Sequence, residues 1–176
     1  MNLYLIGYRG SGKSTVGPLV ARMLDWPYLD TDREIENLAG NSIREIFEQD
    51  GQAVFREWES TVIQAVATRS QTVISLGGGA ILDPANCQTL GATGWTVWLD
   101  APAALLCERI EQDPQSAETR PRLSRHDGLA EVQHVLQERC NLYAACADYT
   151  VEVHELPPRE IAELIVNQWQ SVDKHS

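Results

Sequence analysis

The most constraining feature of the chain is a glycine-rich turn that follows a short apolar run near its start. Residues 7–14 read Gly-Tyr-Arg-Gly-Ser-Gly-Lys-Ser, and the spacing G-x-x-x-x-G-K-S is typical of a phosphate-binding loop between a strand and a helix. Glycines let successive backbone N–H groups converge on one anion, and the positive end of the following helix adds to the attraction. The pattern predicts a nucleoside triphosphate site formed by Gly10, Ser11, Gly12, Lys13, Ser14 and Thr15.

Lysine is rare in this chain, which contains two lysines against twelve arginines. Lys174 is the third residue from the end of the sequence, so Lys13 is the one lysine in the rest of the chain. A flexible point charge suits a phosphate, and Lys13 is therefore interpreted as a catalytic ligand of the β- and γ-phosphates. The hydroxyl of Ser14 is interpreted as a ligand of Mg²⁺. The alternative is a glycine turn before an ordinary helix.

Composition and charge exclude several classes of protein. The length of 176 residues and a hydrophobic content of 43% suit a single domain. The net charge of −11 argues against a nucleic-acid surface and requires locally placed arginines for any anionic substrate. The four cysteines show no metal-binding spacing, and no secretory signal or long apolar stretch is seen. We expect a cytoplasmic protein without a nucleic-acid or membrane partner, and a monomer because no apolar interface stripe is left over.

Strand and helix patterns alternate along the chain, which favours a parallel sheet covered by helices. Residues 1–176 are predicted to form one three-layer α/β/α domain with a five-stranded parallel sheet, of the P-loop nucleoside-monophosphate-kinase type. A helical substrate-binding region is expected at about 31–62, a mobile lid at about 112–127 and a frayed tail at about 171–176. Strands are expected at about 2–6, 28–29, 72–76, 95–99 and 149–153. Ligands of such sheets bind beyond the carboxyl ends of the strands.

Local signals divide the helical region into shorter helices. Gly40 is expected to end one helix, and Ser42 with Glu45 forms a capping box for the next. Gly51 is expected to stop that helix. Asp83 before a proline is typical of a helix start.

Two carboxylates follow the second predicted strand. If the segment is extended, Asp30 and Asp32 lie on one face and both reach the phosphates. One would hold Mg²⁺ through water, and the other would accept a proton from a substrate hydroxyl. The alternative for either residue is a helix cap.

Arg56 and Glu59 lie three residues apart on one helix face. They form either an exposed ion pair or a clamp in which Glu59 orients Arg56 toward a carboxylate. The run of residues 77–79, all glycine, follows a strand and favours contact between a ligand and the main chain. Arg139 and Tyr143 share a helix face, for which surface packing is the alternative to function.

Taken together, these motifs resemble the shikimate kinase family over almost the whole chain. Besides the phosphate-binding loop, the ordered series consists of Asp30-Thr31-Asp32, Phe55-Arg56-x-x-Glu59, Leu76-Gly77-Gly78-Gly79-Ala80, Arg120-Pro121 and Arg139-x-x-x-Tyr143. The resemblance implies phosphorylation of the 3-hydroxyl of shikimate by ATP, on the route to chorismate and aromatic amino acids.

The resemblance also implies roles for individual residues. Shikimate would be bound by Asp32, Arg56, Glu59, Gly78, Gly79 and Arg139, with the two arginines at its carboxylate and Asp32 at its hydroxyls. Mg²⁺ would be held by Ser14 directly and by Asp30 through water. Arg120 would reach the phosphates from the lid, and Arg109 with the Pro157-Pro158 pair, in particular Pro158, would border adenine.

The lid departs from the usual family pattern, because Arg120-Pro121 is followed by Arg122. Arg122 therefore competes with Arg120 for the catalytic role. The rival functions are a gluconate kinase of the same architecture and a kinase-shaped binding protein without activity. The pairing of Asp-x-Asp with Phe-Arg-x-x-Glu favours shikimate over gluconate. Loss of Lys13 or Asp32 would favour the inactive protein, and both are present.

Overall fold

The fold is a five-stranded parallel sheet with helices on both faces, as seen in a computed structural model that describes residues 1–113, 128–154 and 156–173. Within those residues the sheet order is β2-β3-β1-β4-β5. The strands are β1 Asn2–Ile6, β2 Tyr28–Asp30, β3 Val73–Ser75, β4 Gly94–Asp100 and β5 Tyr149–Glu152. The predicted α/β class and the five parallel strands are confirmed.

The helices of the described residues follow the strands as the sequence pattern predicts. They are α1 Lys13–Leu24, α2 Thr31–Ala39, α3 Ile43–Gln49, α4 Gly51–Ala67, α5 Pro84–Thr93, α6 Ala103–Gln112, α7 Gly128–Cys146 and α8 Pro158–Asp173, with a 3₁₀ turn at Ala80–Leu82. The capping box of Ser42 and Glu45 is present, and Gly40 ends α2 in a left-handed conformation. Asp83 caps α5 through the N–H of Ala85.

The core lies on both faces of the sheet because successive side chains of a strand point to opposite sides. Leu3 and Leu5 of β1 pack into a cluster beneath α1, α6 and α8. Tyr4 and Ile6 point the other way, into a cluster with residues of α2 to α5 and with Tyr143 of α7. The central strand β1 is therefore buried on both sides, which is typical of a parallel sheet.

Two boundaries differ from the sequence expectation. Helix α2 begins at Thr31, directly after β2, so the segment through Asp32 is not extended as assumed. Helix α8 continues through Asp173, into the tail that was expected to be frayed from residue 171. The expected lid at 112–127 lies almost entirely outside the described residues.

Candidate active site

The phosphate-binding loop joins the carboxyl end of β1 to the start of α1. Its backbone has positive φ at Gly10 (83°) and Gly12 (98°), a conformation that residues with a side chain rarely adopt. Gly12 is the N-cap of α1. Because glycine has no side chain, Gly12 makes no side-chain cap bond, and the positive end of the helix dipole favours an anion at this turn.

Lys13 folds back over this loop. Its Nζ donates to the carbonyl oxygens of Gly7 at 2.8 Å and Tyr8 at 3.0 Å, and Ser11 Oγ lies at 3.4 Å. These contacts hold the ammonium group at the cavity that the loop borders. Since an ammonium group has three donors on a flexible stem, phosphate oxygens can replace carbonyl oxygens without a change of the loop.

A cavity of about 530 Å³ lies over the loop at the carboxyl edge of the sheet. Arg109 of α6 borders it and donates from Nη1 to the Gly10 carbonyl at 3.3 Å. Pro158, the first residue of α8, also borders it, whereas Pro157 is not among the lining residues. The predicted nucleotide residues thus meet in one cavity, lined by Gly10, Ser11, Gly12, Lys13, Ser14, Thr15, Arg109 and Pro158.

Asp30 and Asp32 line the same cavity, but they differ in local role. Asp30 is the N-cap of α2, and its Oδ1 accepts from the Asp32 N–H at 3.0 Å. The cap alternative therefore applies to Asp30. The expected single extended segment is wrong, since Asp32 already belongs to α2. It is the strand-to-helix turn that carries both carboxylates to the cavity.

The setting of Asp30 fits a cation. Burial raises the pKa of the Asp30 carboxyl above its usual range, and the negative charge of Asp32 raises it further. The Asp32 N–H and the charge of Lys13 act in the opposite direction. With Ser14 in the same cavity, the donor set consists of oxygen atoms, which Mg²⁺ prefers. The described residues contain no cluster of three metal-ligating side chains, so a cation here would take phosphate and water oxygens as well.

Arg56 and Glu59 of α4 form an ion pair in which Glu59 is buried and Arg56 is half-buried. Glu59 is 1% exposed, and its Oε2 accepts from Arg56 Nη1. The guanidinium lies 5.2 Å from the centre of the Phe55 ring and presses against the backbone of Gly79, where an added Cβ would lie 2.4 Å from both Nη atoms. Glu59 therefore fixes the direction of Arg56, while its own carboxylate does not line either cavity of the site.

A second cavity of about 340 Å³ opens beside the first. Its basic lining residues are Arg9, Arg56 and Arg139, and Glu131 is the acidic one. Gly78 and Gly79, which have no side chains, line it with main-chain atoms. The remaining lining residues are Tyr8, Phe47, Gln52, Phe55 and Val135. The excess of arginine in an acidic protein indicates a site for an anionic ligand.

The two cavities adjoin each other, because Gly78 and Arg9 line both. The glycine run explains this proximity. A Cβ at Gly77 would lie 2.7 Å from Asp32 Oδ1 and 2.9 Å from Glu59 Oε1, so only glycine allows the carboxylates to approach the loop this closely. The glycine run thus forms a wall between the cavity over the loop and the arginine-lined cavity.

Sequence reasoning missed one residue of this region and left the role of another open. Arg9 was passed over as a variable position of the phosphate-binding loop. For Tyr143, surface packing was the alternative to function; the residue is fully buried, and its hydroxyl donates to the Gly78 carbonyl at 2.6 Å. Its four-residue spacing from Arg139 was the available signal. Arg120 and Arg122 lie outside the described residues.

Fold and site together are those of a P-loop phosphotransferase, with a small arginine-lined cavity beside the cavity over the phosphate-binding loop. The family model for shikimate kinase matches residues 9–170. The chain belongs to the shikimate kinase family.

Relatives and solved structures agree with this assignment. A shikimate kinase of Rhodopirellula baltica is 44% identical over 151 residues, covering 86% of this chain and 81% of the relative. One of Syntrophus aciditrophicus is 37% identical over 97% of this chain and 91% of its own length. The structure of Acinetobacter baumannii shikimate kinase in complex with shikimate superposes with a TM-score of 0.90 at 34% identity, covering 97% of this chain and 93% of that one.

Two further findings concern the rival gluconate kinase and the expected absence of a membrane partner. A gluconokinase from Sinorhizobium meliloti superposes with a TM-score of 0.66 at 17% identity, which shows a shared fold alone. In the part of the chain that the structure describes, no helix is both long and apolar enough to cross a membrane.

Proposed function

We propose that the chain transfers the γ-phosphoryl group of ATP to the 3-hydroxyl of shikimate, giving 3-phosphoshikimate and ADP for chorismate and aromatic amino acid biosynthesis. The observation that carries this proposal is the junction of the two cavities at Gly78. A phosphate held by the loop and an acid held by arginines would meet there, which is the arrangement that in-line transfer requires.

The nucleotide half of the site would use the loop and its neighbours. N–H groups of the loop would bind the phosphates, and Lys13 would move from the carbonyls of Gly7 and Tyr8 to the β- and γ-phosphates. Arg109 and Pro158, which line the same cavity, would border adenine. Ser14 would ligate Mg²⁺ directly and Asp30 through water, and the ion would neutralise charge that develops during transfer.

The acceptor half would use Arg56 and Arg139 for the shikimate carboxylate. Arg56 is already oriented by Glu59, so little side-chain entropy is lost when a carboxylate binds. The main chain of Gly78 and Gly79 would contact the ring. We propose that Glu59 acts on shikimate through Arg56 and not by direct contact.

Asp32 would hold the hydroxyls and accept the proton of the attacking one. It lines the nucleotide cavity beside the wall shared with the acceptor cavity, which is the place where a general base must lie. Arg120, or alternatively Arg122, would reach the transferring phosphate from the 112–127 segment.

We further propose a monomer that works in the cytoplasm. All four cysteines are free thiols, which agrees with a reducing compartment. Among the described residues, the most exposed large apolar side chains are those of Met1, which precedes β1, and Leu38 of α2.

The test is ADP release with a panel of acceptors in the presence of ATP and Mg²⁺. Shikimate is expected to give the highest kcat/KM among shikimate, quinate, gluconate and nucleoside monophosphates. Faster turnover of gluconate or of a nucleoside monophosphate would contradict the proposal.

A further inference from the structure

A buried tyrosine supports the wall between the two cavities. Tyr143 of α7 is fully buried, and its ring stacks on Trp98 with centroids 5.5 Å apart and planes at 16°. Its hydroxyl donates to the Gly78 carbonyl at 2.6 Å. Because the ring cannot shift within this packing, the hydroxyl is a fixed donor to a main-chain atom of the substrate wall.

Arg139 donates to the same carbonyl. Its Nη1 lies 3.3 Å from the Gly78 oxygen, one helical turn before Tyr143. A carbonyl oxygen has two lone pairs and accepts both donors. The two distances are unequal, however, and the shorter bond from the tyrosine is the stronger one.

This sharing matters when a carboxylate enters the arginine-lined cavity. The carboxylate and the Gly78 carbonyl then compete for the donors of Arg139. If Arg139 were the main donor to that buried carbonyl, its rotation toward a ligand would leave the oxygen unsatisfied, which is costly. With the bond from Tyr143 in place, the carbonyl stays satisfied whichever way Arg139 points.

We infer that Tyr143 is a positioning residue that releases Arg139 from the Gly78 carbonyl for recognition of the acceptor carboxylate. This inference rests on the proposed function. It also gives Tyr143 a role in the direction of the next peptide group, since the Gly78 oxygen and the Gly79 N–H belong to one planar unit. Tyr143 thus acts on binding of the acid through Arg139, and its side chain does not itself line the nucleotide cavity.

The experiment compares Tyr143→Phe with Tyr4→Phe as a matched control. Tyr4 is also fully buried in the same hydrophobic cluster, and its hydroxyl pairs with Thr93 Oγ1 at 2.7 Å. Neither Tyr4 nor Thr93 lines the two cavities. Both substitutions keep the ring and remove one buried hydroxyl, so a merely structural effect would be similar in the two variants.

Dissociation constants for shikimate and for ADP with Mg²⁺ are measured by calorimetry. Tyr143→Phe is expected to weaken shikimate about tenfold, equivalent to about 1.4 kcal/mol, and to leave the ADP constant within about twofold. Tyr4→Phe is expected to change neither constant. Equal effects of the two substitutions on shikimate, or an equal loss of ADP affinity in Tyr143→Phe, would overturn the inference.

A double-mutant cycle with Arg139→Met tests the route of the effect. If Tyr143 acts through Arg139, Tyr143→Phe should change shikimate affinity less than twofold once Arg139 is methionine. An undiminished tenfold effect in that background would overturn the positioning role while leaving the proposed site intact. If Arg139→Met alone leaves shikimate affinity unchanged, the proposed carboxylate site fails as well, so the two failures are distinguishable.

Discussion

The substitution Gly79→Ala provides a sharp test of the arginine clamp, because it acts on Arg56 without touching its charge. Gly79 has φ −108° and ψ 0°, a backbone that alanine can also adopt. The added Cβ would lie 2.4 Å from Nη1 and Nη2 of Arg56, whereas ordinary contact begins near 3.4 Å. The guanidinium must therefore move by about 1 Å.

The size of the effect follows from that displacement. A shift of about 1 Å at a substrate-positioning group can cost about a hundredfold. Loss of a hydrogen bond to a charged group costs about 1.5–3 kcal/mol, or about ten- to 150-fold in affinity. We expect Gly79→Ala to raise the KM for shikimate by about ten- to a hundredfold while the KM for ATP changes less than about threefold.

The assay is steady-state ADP release with each substrate varied in turn, together with the thermal unfolding midpoint. Gly91→Ala is the control, since a Cβ there meets nothing within 4 Å and alanine favours the helix that contains it. The control should keep both KM values. An unchanged KM for shikimate in Gly79→Ala would refute the placement of Arg56 at the acceptor carboxylate.

Three further predictions concern charged residues of the proposed site. Arg56→Ala and Arg139→Ala should each weaken shikimate binding by about one to two decades and ATP binding far less. The reason is the loss of a charge-assisted contact worth about 2–3 kcal/mol. Equal losses of affinity for both ligands in titrations would mean that these arginines are structural. Asp32→Asn should keep the fold but lower kcat by about a hundredfold or more, and a near-normal kcat in single-turnover and steady-state assays would reject the base role. Arg120→Ala should lower kcat more than Arg122→Ala at similar unfolding midpoints, and the reverse order would assign the lid role to Arg122.

Much of the fold could be predicted because short sequence motifs mark where individual strands and helices begin. The phosphate-binding loop fixes the β1–α1 unit, and the Ser42 to Glu45 capping box marks the start of α3 as observed. Asp83 before a proline marks the start of α5 in the same way. Each of these signals depends on neighbouring residues in the chain, so no tertiary information is needed to find them.

The features that escaped prediction depend on contacts between distant segments. The burial of Tyr143 results from its stack on Trp98, 45 positions earlier in the chain, which helix periodicity cannot reveal. The sequence could not decide whether Arg56 and Glu59 form an exposed ion pair or a clamp. The answer depends on the glycine run, which packs against both side chains. For Asp30 and Asp32, residue spacing predicted the shared cavity, but the assumed extended backbone was wrong because the Asp30 cap starts α2 immediately.

The position of the transferred phosphate tests the central claim most directly. The product formed from ATP and shikimate by the wild-type chain is examined by two-dimensional proton–phosphorus NMR. The account predicts one phosphomonoester whose phosphorus couples to the proton on carbon 3, formed in equal amount to ADP. Phosphorylation of another hydroxyl, or ADP released with inorganic phosphate and no phosphorylated acid, would contradict it.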